Sequence, residues 1–379
     1  MSGGFSKRFV SGCVLALVAV LAASGCRRAP QGESSGAAAT AEKPAGVKRI
    51  ILLTNGDDPF WDAMRNGMDA AARELKLSDA KLAAFLDKGD FSEEAQINKL
   101  NQYATQSDIG AVAISSVDAK NRGIADAMKA LRAKGVHVVT IDSDMDDKAT
   151  RFAYLGTNNL VGGEELGKAA KGVRPQGGKY ATFVGLKTVA NAIERIGGFA
   201  KGAGEGFESK DSLADNGDEN QAQENVKAAL NNHADIDTLV GIWAYNAHAI
   251  ARVVDQRNLR DKMTVVVFDA APAALEDMAA GKIDAMVVQN PYQMGYLGTQ
   301  LMKALIEDDH AAIQSLFSGY DAASKSFSSA AADVYTTELR VVVPDEGSPL
   351  KPEMFNPETK FFKYSDFRNW MKERNLTGS

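Results

Sequence analysis

The chain has 379 residues, 45% of them hydrophobic and 24% charged, which is ordinary globular composition and enough for about two domains. Its 49 acidic against 43 basic residues leave a formal charge of −6, with no surplus of Lys and Arg to neutralise phosphates, which argues against a nucleic-acid partner. The two cysteines, Cys13 and Cys26, lie near the N-terminus, so the mature fold is expected to contain neither disulfide nor thiol site.

In chain order, Lys7 and Arg8 precede an apolar run from Val14 to Ala23, and small residues lead on to Cys26. A core of about ten apolar residues is too short for a spanning helix, which needs about 20. The order of charge, core and small residues reads as a signal peptide over residues 1–25. Leu21-Ala22-Ala23-Ser24-Gly25-Cys26 resembles a bacterial lipobox, with Ala23 where that pattern prefers Leu. The resemblance implies diacylation of Cys26 and a lipid anchor in the cell envelope. From Arg27 to about Gly46 there is almost nothing to bury, so residues 26–46 read as a flexible tether.

From Val47 short apolar runs alternate with helical stretches. Ile50–Leu53 reads as a buried strand, and Phe60, Ala63, Met64, Gly67, Met68 and Ala71 follow helical spacing to about Leu75. A strand is expected at Lys81–Leu86, then a helix from about Ser92 with Asp90 and Glu93 as its capping pair. Strands at Ala111–Ile114 and Val136–Ile141 flank a helix over Arg122–Ala133. The rhythm restarts after Arg151, with strands expected at Tyr180–Val184, Thr238–Trp243, Met263–Phe268 and Ile283–Val288. A last strand is expected at Leu339–Val343, and Pro344–Ser379 reads as an extended tail ending in a short packed helix. Such alternation predicts an α/β protein of two doubly wound parallel-sheet lobes. Several strand runs end in polar residues, namely Thr54, Ser115-Ser116, Asp142, Asp269 and Gln289. Ligands of open parallel sheets bind at those carboxyl ends.

Catalytic and metal patterns are largely missing. Gly32-Glu33-Ser34-Ser35-Gly36 lies in the tether, without the strand and helix that a nucleophile elbow needs. His137, His233, His248 and His310 are scattered, and Asp142–Asp147 lacks the Gly and Glu of a calcium loop. Gly162-Gly163-Glu164-Glu165-Leu166-Gly167 does not match a dinucleotide fingerprint and reads instead as close helix packing. No catalytic residue, metal or cofactor is therefore expected. The remaining strand-end carboxylates, amides, Arg and aromatics suit a polyhydroxylated solute. Helix caps or Mg²⁺ ligands of a phosphotransfer enzyme would use Asp in the same places.

Five segments decide between these readings. Ile51–Trp61, Val138–Ser143, Glu194–Phe199, Val266–Asp269 and Gly281–Pro291 resemble, in order, the strand ends of the ribose- and galactose-binding family of periplasmic proteins. That resemblance implies a type I periplasmic binding fold with a cleft between two hinged lobes. It implies lobes over 47–150 plus 290–330 and over 151–289 plus 331–346, with 347–379 as an extension. The first lobe would supply Thr54, Asp58, Phe60, Trp61, Ser115, Asp142 and Ser143. The second would supply Arg195, Asn246, Phe268, Asp269 and Gln289. Asp142 and Asp269 would accept from sugar hydroxyls, Arg195 would bond the ring or anomeric oxygen, and Phe60, Trp61 or Phe268 would stack on the ring.

Two departures bear on the ligand. Asn216-Gly217-Asp218-Glu219 stands where the family has an aromatic stacker, leaving Trp243 or Tyr245 to supply that face. Ser115 and Ser143 stand where ribose binders carry Asn and Arg. The function implied is capture of a monosaccharide, a pentose or hexose, by a monomeric lipoprotein that hands it to an ABC permease in the cytoplasmic membrane. A sensory protein for a sugar-like signal or nucleoside, passing its occupied state to a chemoreceptor or kinase, is the alternative.

Overall fold

Strand β1 (Lys48–Leu53) buries Ile50–Leu53 on both faces, as a strand inside a covered parallel sheet must. In the computed structural model, which describes residues 46–379, it is followed by α1 (Phe60–Glu74), β2 (Leu82–Asp87), α2 (Glu93–Tyr103), β3 (Ile109–Ile114), α3 (Arg122–Ala133), β4 (His137–Ile141) and β5 (Tyr154–Gly156). The expected signal segment, Cys26 and the body of the tether lie outside the described residues. A second run comprises α4 (Asn159–Val173), β6 (Gly178–Val184), α5 (Ala190–Ala203), β7 (Phe207–Ala214), α6 (Glu219–Asn232), β8 (Thr238–Gly241), α7 (Ala244–Gln256), β9 (Thr264–Phe268), α8 (Pro272–Ala279) and β10 (Ala285–Val288). The chain then returns through α9 (Pro291–Ile306), α10 (His310–Leu316), a small hairpin of β11 (Tyr320–Asp321) and β12 (Ser326–Phe327), and β13 (Val334–Thr336). It closes with β14 (Arg340–Val343), β15 (Lys360–Lys363) and α11 (Tyr364–Lys372).

Two sheets result. The first has the order β13-β5-β4-β3-β1-β2 and is parallel throughout. The second has the order β15-β14-β10-β9-β8-β6-β7, with β10–β14 its only antiparallel pairing. The protein is thus an α/β molecule of two doubly wound lobes. The chain crosses between them three times, at Thr157-Asn158, Gln289-Asn290 and Thr337-Glu338. These crossings are stitched together: Thr157 Oγ1 donates to Gln289 Oε1 at 2.7 Å, and the Thr337 N–H donates to the Gly156 carbonyl at 2.7 Å. Arg340 Nη1 donates to the Gln289 carbonyl at 3.0 Å.

Helices α4 and α5 show what the glycines after Asn158 do. A methyl group at Gly163 would sit 2.3 Å from the Arg195 carbonyl, and one at Gly198 would sit 2.2 Å from the Leu160 carbonyl. The two backbones therefore touch directly, the close packing expected of Gly162–Gly167.

Three details differ from expectation. Ser92, not Asp90, caps α2: its hydroxyl accepts from the Ala95 N–H at 3.3 Å, while Asp90 accepts from the Ser92 N–H in the turn before it. The first sheet runs past residues 150 and 330, because β5 and β13 pair with each other at its edge. Residues beyond 346 are no separate appendage: β15 extends the second sheet beside β14, and α11 buries Phe367 and Met371 in that lobe's core.

Candidate functional site

Strands β4 and β9 each end on an aspartate that the backbone holds in the left-handed region. Asp142 has φ 62° and Asp269 has φ 67°. Asp tolerates this conformation better than most residues, and it turns each carboxylate off the strand axis into the space between the lobes. The matching loop after β1 brings Asp58, one oxygen of which accepts from the Phe60 N–H at 2.8 Å. From the second lobe, Asn191 and Arg195 lie four residues apart on α5 and so share one face. These groups, with Asn55, Phe60, Trp61, Phe91, Trp243, Ala244 and Gln289, line one narrow cleft.

The polar groups form one network across both lobes. Asp142 accepts from Ser115 Oγ at 2.9 Å and, from the other lobe, Asn191 Nδ2 at 3.1 Å. Asn191 Oδ1 in turn accepts from Trp243 Nε1 at 3.0 Å. Gln289 Nε2 donates to both Asp269 oxygens, at 3.0 and 3.2 Å, which joins a crossing segment to the site. Arg195, 1% exposed, lies with its guanidinium 3.9 Å above the Phe268 ring. Its Nε donates to Asn159 Oδ1 and its Nη1 to the Ile242 carbonyl, with Nη1 3.7 Å from Asp269. Arg195 Nη2 has no hydrogen-bond partner.

Three buried carboxylates and one guanidinium shape the electrostatics. Burial pushes the Asp58 carboxyl up to about 7, and Asp269, Asp142 and Glu219 add to the rise against the Phe60 N–H. Burial raises Asp269 to about 6, opposed by Arg195 and Gln289. Asp142 is raised by burial too, against Arg195, Ser115 and Asn191. Nothing here forms a nucleophile–base pair, and among the described residues no cluster of His, Cys, Asp or Glu could hold a metal ion. The arrangement can hold a polar solute through its carboxylates, amides and guanidinium.

Of the residues singled out from sequence, Asp58, Phe60, Trp61, Asp142, Arg195, Trp243, Asp269 and Gln289 line the cleft. The other five stand behind it. Phe268 is fully buried beneath Arg195, so its face is taken by the guanidinium and not free for a ring. Asn246 bonds Asp215 Oδ2 at 2.8 Å and caps the Trp243 N–H. Thr54 Oγ1 braces its own loop through Gly56 and Gly89. Ser115 orients Asp142, and Ser143 is fully buried with its hydroxyl unpartnered. Tyr245 is not among the lining residues, and its hydroxyl donates to Asp215.

Sequence reasoning missed Asn55, Phe91, Asn191 and Ala244. Asn191 was findable as the residue one helical turn before Arg195. Phe91 carried no signal, lying in a loop between β2 and α2. It crosses the cleft mouth to stack on Trp243, with centroids 5.8 Å apart and planes 26° apart. A methyl group at Gly217 would sit 2.5 Å from this ring, so the glycine in Asn216–Glu219 makes room for an aromatic from the opposite lobe.

Comparison with known proteins agrees with this geometry. The model of the periplasmic binding protein domain matches residues 49–310. The D-allose-binding periplasmic protein of Escherichia coli is 25% identical over 271 residues, covering 68% of this chain and 84% of that protein. The ribose import binding protein of Bacillus subtilis is 24% identical over 252 residues, covering 66% and 78%. Among solved structures, a glucose-galactose binding protein of Geobacillus stearothermophilus superposes with a TM-score of 0.66 at 24% identity, covering 78% of this chain and 97% of that one. A solute-binding protein of Burkholderia graminis in complex with D-arabinose gives 0.68 at 22% identity, covering 79% and 96%. With the matched model spanning both lobes and the cleft, this chain belongs to the periplasmic binding protein family, in its ribose- and galactose-type branch.

Proposed function

We propose that this chain is an extracytoplasmic substrate-binding lipoprotein that captures a monosaccharide, a pentose or hexose, and delivers it to an ABC permease. The observation that carries the reading is the convergence of Asp58, Asp142, Asp269 and Arg195 Nη2 on one aromatic-walled cleft. Carboxylates accept from hydroxyls, the guanidinium donates to a ring or hydroxyl oxygen, and the rings cover C–H faces. The names of the relatives, which bind allose and ribose, point the same way. Closure is the working step: contacts from both lobes to one ligand favour the closed state, which the permease then reads. Diacylated Cys26 and the residues after it would hold the lobes near the outer face of the cytoplasmic membrane.

The test is a thermal-shift screen of the purified protein against pentoses, hexoses and their derivatives. A ligand at 100 times its Kd adds about 2.7 kcal/mol of stability, a shift of several degrees. A flat response to every monosaccharide would overturn the reading.

A further inference from the structure

The charge in the cleft does not balance. Asp58, Asp142 and Asp269 are 8%, 3% and 3% exposed, and Arg195 is the sole cationic side chain among the lining residues. Two of three buried negative charges are left without a cation, an arrangement that a folded protein resolves by protonation or by binding a positive group. The three are not equivalent. Asp269 has Arg195 at 3.7 Å and two bonds from Gln289, and Asp142 has Ser115 and Asn191. Asp58 has a single neutral donor, the Phe60 N–H, and no cation; the charged groups that act on it are Asp269, Asp142 and Glu219, all negative. In the same cleft, the unpartnered Arg195 Nη2 calls for an acceptor on the same ligand.

We propose, building on the monosaccharide reading above, that the ligand is an aminated sugar or aminated cyclitol whose ammonium group pairs with Asp58 while Arg195 Nη2 donates to one of its oxygens. An ammonium brings three N–H donors and a full positive charge to the place that lacks both. A hydroxyl brings one donor and leaves the charge standing. The ligand's remaining hydroxyls face Asp142 and Asp269, and Phe91 and Trp243 close over it.

Titration calorimetry at pH 7.5 tests this with aminodeoxyhexoses, aminodeoxypentoses and aminocyclitols, each beside its neutral parent and its N-acetyl derivative. The expected result is an amine that binds at least tenfold tighter than both counterparts. Asp58→Asn should abolish that preference, and the wild-type panel stands alone should the variant fold poorly. Neutral parents that bind as tightly as their amines overturn the amine assignment and leave monosaccharide capture in place. No binding by any member of either panel overturns both.

Discussion

Asp58 couples the cleft to pH through its carboxyl, held near 7 against an ordinary value of 3.8. The sign follows from proton counting. Between those two values the folded state holds a proton that the unfolded state has released, so stability falls as pH rises through this window and levels off above about 7. Asp269 and Asp142, raised for the same reason, act in the same direction. Asp58→Asn removes the largest contribution. Thermal unfolding of the ligand-free variant should therefore exceed wild type at pH 8 and match it near pH 4.5; an equal gap at both values refutes the assignment. Asp269→Ala leaves Gln289 and the ligand hydroxyl without an acceptor, which costs ~2 kcal/mol or more, a loss of about 30-fold in affinity by calorimetry. The strand-end aspartates and Arg195 were legible as residues because their chemistry and place at strand ends need no partner to be recognised. The division between lining and bracing groups was not. Asn246 and Tyr245 turn away to Asp215, and Phe268 lies under Arg195, facts fixed only by side chains distant in sequence.

At the scale of elements, the α4–α5 pair is the part whose geometry most directly sets the site. Its backbones meet at Gly163 and Gly198, one residue of which faces the Arg195 carbonyl itself. Gly163→Ala forces the helices apart, and overpacking of this kind costs ~1–3 kcal/mol. Denaturant unfolding should show that loss, and ligand affinity should drop with it because Arg195 moves; an unchanged affinity would separate packing from positioning. Central strands and the helix Arg122–Ala133 could be read from apolar period alone. The elements that escaped are the ones without such a period. Strand β7, Phe207–Ala214, is a polar edge strand with no fully buried residue, and β5 has only three residues. Strand β15 lies in a tail whose aromatic residues read as a helix, yet Phe361 and Phe362 sit in the sheet beside Val341 and Val342.

For the molecule as a whole, the facing lobes meet through contacts that include Asn191 on Asp142, Thr188 Oγ1 donating to the Val117 carbonyl at 3.0 Å, the Ala119 N–H donating to the Thr188 carbonyl at 3.3 Å, and Phe91 resting on Trp243. Contacts of this kind would suit the proposed closure, in which a ligand shifts the balance between open and closed states. Phe91→Ala removes an aromatic pair worth about 1 kcal/mol, and should raise Kd about fivefold, mainly by faster dissociation in stopped-flow measurements. An unchanged dissociation rate would count against the aromatic closure. The same stack has an optical consequence. Of the three tryptophans, Trp61 is packed in the first lobe's core and Trp370 lies between Arg340 and Phe367 within the second. Trp243 stacks on Phe91 of the opposite lobe, so its indole emission is a label already present in the chain, one that should report the opening and closing of the cleft without any dye.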